Sequence, residues 1–284
     1  MKSPFGDRVT RKMTKFKCKV TDLENLCNLV SCKGKNIEGK EYSAILDCVV
    51  NAIGGKLIVQ AMDMQRTFGV KVEQNATVET EGQISIGDLG AFSKFLSRFL
   101  PTDEVTIYDE TNRIVISRES PKKTAKFPLA AYESISSKDA IMFDKLVFSP
   151  STNYPVMGKA NFNLSILVNA EFVKSMFEDG DLIKQRYIPI KVSGNKLSVS
   201  VKDDTLGEFE TEIVPDAIDS DPEHVGKKEM SAMFGNGFDN IFSNLSGKVS
   251  VYLIDEVDAS PLIVKQENSQ FKFLAMLAPY VSVE

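Results

Sequence analysis

KVSVYLIDEVDASPLIVKQENSQFKFLAMLAPYV, residues 248–281, is the stretch on which the reading of this chain turns. It holds three runs rich in β-branched and aromatic residues, Lys248–Ile254, Pro261–Gln266 and Gln270–Leu277. The polar breaks Asp255–Ser260 and Glu267–Ser269 separate them. Short runs of this kind divided by turn residues predict consecutive antiparallel strands. A helix is expected just before them, from about Glu229 to Leu245, preceded by an acidic loop, DAIDSDPE.

Working back from there, the strands Tyr187–Val192 and Lys196–Lys202 pair across Ser193-Gly194-Asn195, and Glu208–Val214 follows. Upstream lie a strand, Asn161–Val168, and a helix, Asn169–Glu178, with Asn169 as its cap. The same order of elements occurs once already. Lys15–Val20 reads as a strand. A helix follows it, with Thr21 and Glu24 in capping-box positions and Leu23, Leu26, Cys27 and Val30 at helical spacing. The loop CKGKNIEGKE leads to strands at Tyr42–Ala52, Lys56–Met62 and Thr67–Glu73, with Gly54-Gly55 as a hairpin signal. A β-type segment, Ala76–Ile86, precedes a second helix, Gly87–Leu100, stopped by Pro101. Glu104–Tyr108, Arg113–Arg118 and Thr124–Leu129 complete the half. Two halves with one grammar predict an α+β chain of two similar domains, each with two helices packed on antiparallel sheet. The divisions expected are an N-terminal arm at 1–13, a first domain at 14–130, a connector at 131–160 and a second domain at 161–284. A sandwich or barrel with incidental helices is the other reading of the same pattern.

Composition narrows the function. The 284 residues carry 34 Lys+Arg against 39 Asp+Glu, a formal net charge of -5. No run approaches the roughly 18 apolar residues of a membrane-spanning helix. The basic N-terminus lacks the apolar core of a secretory signal. Four cysteines, all before residue 50 and without a CxxC pair, give no disulfide framework. The single histidine, His224, rules out a multi-histidine metal site. No GxGxxG, GxxxxGK[ST], HExxH or GxSxG motif occurs. GNGFDN (235–240) is glycine-rich but has no phosphate-site lysine, and Asp203-Asp204 and Asp255/Asp258 sit at strand ends, where acidic turn residues are common. No catalytic residue, metal or cofactor is expected.

The helix at 87–100 says more. Leu89, Phe92, Phe95, Leu96 and Phe99 share one face, and Lys94 and Arg98 lie together opposite. Lys174 faces away from Phe172 and Met176 on the first helix of the second half. Lysines 33, 35, 184, 227 and 228 and Arg186 lie in flanking loops. Cations grouped on helical faces suit phosphate backbones even in a net-acidic protein, although a solvated face is the commoner meaning of such a pair.

With these residues in view, the chain resembles the sliding clamps of the proliferating cell nuclear antigen (PCNA) type. The resemblance rests on Gln60-Ala61-Met62-Asp63, on Phe92-Ser93-Lys94-Phe95-Leu96, and on Glu171-Phe172-Val173-Lys174. It rests also on the C-terminal strands with Pro261-Leu262 and Leu277-Ala278-Pro279. It implies a DNA clamp fold and a non-enzymatic processivity factor. Three chains would form a ring that encircles duplex DNA without reading sequence and tethers a DNA polymerase, a clamp loader and other replication or repair proteins. Lys94, Arg98, Lys174, Lys33 and Lys35 are then the expected DNA-binding residues. Met62, Pro261, Leu262, Met276, Leu277, Ala278 and Pro279 are expected to form an apolar pocket for short partner peptides. Two departures stand out: Glu24, Asn25 and Asn28 replace cations usual on the first helix, and Met276 replaces a usual tyrosine. An intracellular location follows from the resemblance, cytoplasmic in a prokaryote or its virus and nuclear in a eukaryote. Two alternatives stay open: one subunit of a heterotrimeric clamp, replicative or checkpoint, and a β-rich assembly protein with no DNA role.

Overall fold

The computed structural model describes residues 13–35, 41–139, 141–183, 187–203, 205–235, 239–257 and 259–281. The first half runs β1 (Lys15–Lys19), α1 (Val20–Ser31), β2 (Lys33–Lys35), β3 (Glu41–Ser43), β4 (Cys48–Ile53), β5 (Lys56–Met62), β6 (Phe68–Asn75), β7 (Thr77–Thr80), β8 (Gly82–Ile86), α2 (Leu89–Leu96), β9 (Glu104–Glu110), β10 (Arg113–Arg118) and β11 (Lys123–Pro128). A connector follows, built from short 3-10 turns at Tyr132–Ser134, Ser136–Asp139 and Ile141–Lys145 and from β12 (Leu146–Phe148), β13 (Pro155–Met157) and β14 (Ala160–Asn161). The second half runs β15 (Leu164–Asn169), α3 (Ala170–Leu182), β16 (Tyr187–Ser193), β17 (Lys196–Asp203), β18 (Gly207–Ile213), β19 (Ala217–Ser220), β20 (Glu229–Gly235), α4 (Asp239–Ser243), β21 (Lys248–Leu253), β22 (Leu262–Glu267) and β23 (Phe271–Leu277).

The duplication expected from element order is present in the hydrogen bonding. The first domain pairs its strands as β11-β10-β9-β1-β7 and β6-β5-β4-β8, and the second repeats this as β23-β22-β21-β15-β19 and β18-β17-β16-β20. Each domain is closed at the same corner, by Ala130 N–H donating to Ser85 O (3.2 Å) in one and Tyr280 N–H donating to Met233 O (2.7 Å) in the other. The domains join through β6 and β23, which pair antiparallel from Phe271↔Gln74 to Leu277↔Phe68. Nine strands therefore form one sheet across both domains. Alternating side chains from these sheets and the inner faces of the helices fill one continuous apolar core. Gly54 and Gly55 both have positive φ (57° and 75°), as the two-residue turn between β4 and β5 requires.

Several boundaries differ from the sequence expectation. The segment expected as a helix from Glu229 to Leu245 is strand β20 followed by the one-turn α4. Met230, Ala232 and Phe234 are buried and the residues between them are not, a period of two that places the segment beside β16. α2 ends at Leu96 and not at Leu100, and the Asp103 carboxylate then accepts from Leu100 N–H (2.8 Å), holding the turn. Thr21 does not cap α1, which begins at Val20; its hydroxyl donates to Pro101 O and ties the helix to that same turn. Asn169 does sit at the start of α3, where its Oδ1 accepts from Glu171 N–H (3.0 Å). The segment at 76–86 is two strands, and the acidic loop contains β19. The arm expected at 1–13 lies outside the described residues except for Met13. All four cysteines are free and buried. Among the described residues no helix is long and apolar enough to cross a membrane.

Candidate functional site

Two surfaces follow from this architecture, one on the helices and one beneath the connector. α1 packs beside α2, and α3 beside α4. Their outer faces are mixed in charge. Lys94 is exposed on α2. Arg98 is exposed too, but in the turn beyond the helix: its N–H donates to Phe95 O (3.3 Å), and its carbonyl accepts from Lys123 Nζ. Lys123 also lies 5.0 Å above the Phe99 ring. The end of α2 thus gathers Lys94, Arg98 and Lys123. Lys174 on α3 forms an ion pair with Glu178 one turn later, at 3.4 Å. Glu171 and Phe172 are exposed on the same helix, and α1 presents Asp22, Glu24, Asn25 and Asn28. The backbones of Lys33 and Lys35 form β2, which lies against α4; their side chains, and all of Lys184 and Arg186, are outside the described residues. Lys227 and Lys228 are tied elsewhere, Lys227 to Glu256 (3.7 Å) and Lys228 Nζ to Ile218 O.

The connector crosses the outer face of the nine-stranded sheet. Asp47, at the start of β4 and nearly buried, accepts from Ser136 N–H (2.8 Å) and Ser137 N–H (3.0 Å). The Ser137 hydroxyl donates to Asp47 O (2.9 Å) and accepts from Met62 N–H (3.3 Å). These bonds pin the connector across the ends of β4 and β5. Further along, Phe143, Leu146, Tyr154, Phe162, Tyr252, Ile263 and Met276 form a second apolar cluster between connector and sheet. Phe148 and Tyr154 both pack edge-on against Tyr252, at 5.8 and 5.9 Å. A groove of about 260 Å³ opens along this flank, lined by Leu274, Phe143, Leu146 and Phe148 together with charged residues of the sheet, among them Lys71, Glu73, Lys265 and Lys272. Burial raises the Tyr252 hydroxyl above the usual tyrosine range, against a hydrogen bond with Ser250 that lowers it.

The seven expected pocket residues are not on one surface. β23 alternates: Phe273, Ala275 and Leu277 face the second domain's core, while Leu274 and Met276 face the connector. Leu262 pairs with Leu277 and shares its inward face. Met62 is buried at the Ser137 clip. Pro261 and Pro279 are half-buried and Ala278 is exposed, with its N–H donating to Thr67 O (2.8 Å). Sequence reasoning missed Asp47 and Ser137, and also the exposed apolar side chains nearby in the chain, Leu46, Met64 and Tyr132. Each of the three is a single apolar residue at a loop position, a signal the sequence carries only weakly.

No protein-family model matches the chain, and no curated protein is similar to it. Solved structures do match. The PCNA of Entamoeba histolytica superposes with a TM-score of 0.68 at 13% identity, over 95% of this chain and 98% of that one. The fold is that of the PCNA sliding clamps. PCNA of A. fulgidus, solved with the C-terminal region of FEN-1 bound to it, gives 0.67 at 12% identity over 95% of this chain and 100% of that chain. PCNA of Thermococcus kodakaraensis gives 0.66 at 15% over 94% and 100%. Near-complete coverage in both directions means that the clamp fold accounts for both halves of the chain and the connector between them.

Proposed function

We propose that this chain is a sliding clamp: three copies close a ring around duplex DNA and tether replication proteins to it. One observation carries the reading. β11 and β18 are open sheet edges, and they occupy the same places in their domains that β23 and β6 occupy in theirs. β23 and β6 are paired within the chain, so repeating that joint between copies extends the same arrangement from subunit to subunit. Unpaired edges of this length are otherwise a liability in a soluble protein. Six domains related by one repeated joint make a ring of three chains, with the paired helices as its lining.

Such a lining needs to hold phosphates without reading bases, which Lys94, Arg98 and Lys174 can do. The connector face is the tethering surface. Its pinned turns and the exposed Ala278 beside Pro261 and Pro279 offer an extended backbone and small apolar walls to a short peptide. FEN-1 bound to the A. fulgidus clamp is a partner of that protein, and a peptide from a replication protein is the corresponding partner here. Solution mass by light scattering tests the ring. About three times 31.5 kDa is the expected value, and a monomer at every concentration overturns the homotrimer.

A further inference from the structure

The internal repeat fixes more than the choice of edges; it fixes their register. The turns Gly54-Gly55 and Gly194-Asn195 close equivalent hairpins, at Ile53↔Lys56 and Ser193↔Lys196. Leu57 therefore corresponds to Leu197, and their partners on the next strand, Gln74 and Ile213, correspond as well. In the other sheet the core-facing pair Ile114↔Phe127 corresponds to Leu262↔Leu277. Within the chain, Met276 pairs with Gly69, Leu274 with Lys71 and Lys272 with Glu73. Carrying those three pairs to the free edges sets Lys126 opposite Glu208, Thr124 opposite Glu210 and Lys122 opposite Glu212.

Backbone geometry supports this register. Leu129 N–H donates to Asn112 O (3.0 Å), so residues alternate along β11 and the N–H and C=O groups of Thr124 and Lys126 point away from β10. Pro128, which has no N–H to offer, falls on the same outward side, where an edge tolerates it. At the intrachain joint the matching outward group, Ala278 N–H, is bonded to Thr67 O. The charges then divide cleanly. Lys122, Thr124 and Lys126 are exposed on one edge, and Glu208, Glu210 and Glu212 on the other. At present Lys126 pairs with Glu110 at 2.9 Å and Glu212 with Lys196 at 2.9 Å, each within its own sheet and at the surface, where solvent weakens them.

We infer that these two edges form a charge-coded key, by which the chain selects a second copy of itself, head to tail, as its ring neighbour. This rests on the ring reading and specifies its joint. Opposite charges meet when β11 of one copy meets β18 of the next. Like charges meet when two β11 or two β18 edges approach, which disfavours a closed two-fold dimer and leaves the ring.

The test uses the full chain in three versions: Lys122→Glu with Lys126→Glu, Glu208→Lys with Glu212→Lys, and all four together. Mass is followed against protein concentration at moderate salt, with melting of the dilute protein as the folding control. Each double reversal is expected to raise the concentration of half-assembly about tenfold or more, since like charges then face each other at every joint. The fourfold variant is expected to regain rings but to form none mixed with wild type. If the double reversals assemble as wild type does, or the fourfold variant fails to recover although it melts normally, the register is overturned while a wild-type trimer keeps the ring. A wild-type chain that stays monomeric removes the ring and the key together.

Discussion

Met276 and Leu277 are neighbours in β23 whose side chains leave on opposite faces, one toward the connector and one into the core. Leu277→Ala is therefore expected to act on stability first, by about 2–5 kcal/mol for a buried leucine. Ala278→Glu is expected to stay within about 0.5 kcal/mol, because the position is exposed, yet to weaken capture of a partner peptide. Denaturant unfolding and peptide titration of the two variants separate these effects; equal stability losses would mean that Ala278 also belongs to the core. A sequence motif such as Leu-Ala-Pro marks a place on the chain without saying which of its side chains face out. That choice belongs to strand alternation, and it was readable only for residues whose strand boundaries were already correct.

β20 shows where alternation was available and propensity obscured it. Met and Ala are good helix formers, and Met230 and Phe234 stand four apart, which fits a helix as well as a strand. Buried Ala232, two residues from each, is what tells them apart. Aspartate at 230, 232 or 234 should cost about 2–4 kcal/mol, and at 231 or 233 much less. A set of unfolding midpoints without this two-residue rhythm would argue against the strand. The hairpins at Gly54-Gly55 and Gly194-Asn195 were legible because their turn chemistry is local. What holds the connector in place was not, because it is a long-range clip: Asp47 meets Ser136 and Ser137 some ninety residues away. Asp47→Ala leaves two backbone donors unanswered in a nearly buried place, at about 1–3 kcal/mol. Hydrogen exchange should then quicken at 136–148 while β9 and β10 keep their protection; uniform quickening would make Asp47 a general core residue.

At the scale of the whole molecule, the proposed ring would present DNA with a helical face of mixed sign. Asp22, Glu24, Glu171 and Glu178 accompany Lys94, Arg98 and Lys174 there, so on the proposed clamp reading contact with phosphates would fall mainly to the end of α2, where Arg98 and Lys123 meet. Reversing Lys94, Arg98 and Lys174 to Glu changes each chain by six charge units, two for each of three residues. The variant is expected to assemble and bind peptide normally but to lose stimulation of a polymerase. Wild-type stimulation should fall steeply with salt, as counterion release requires. If the triple variant stimulates as well as wild type, the lining lies on other residues. The departures from the basic pattern at Glu24, Asn25 and Asn28 were legible in the sequence. The ion pair that occupies Lys174 was within reach of the sequence as well, since Glu178 stands four residues on within the expected helix and lies 3.4 Å away.

The matched closing bonds, Ala130 to Ser85 and Tyr280 to Met233, have a consequence for how the polymer can be spliced. The backbone leaves both domains at one equivalent corner, and the first exit leads directly into the connector. A gene that copied residues 131–160 after the second exit could therefore append a third module, and then more, without moving a strand. On the proposed ring, concatemers of this kind would turn each subunit boundary into a tether, and a six-module polypeptide would reach circular closure as a single molecule whose assembly no longer depends on concentration.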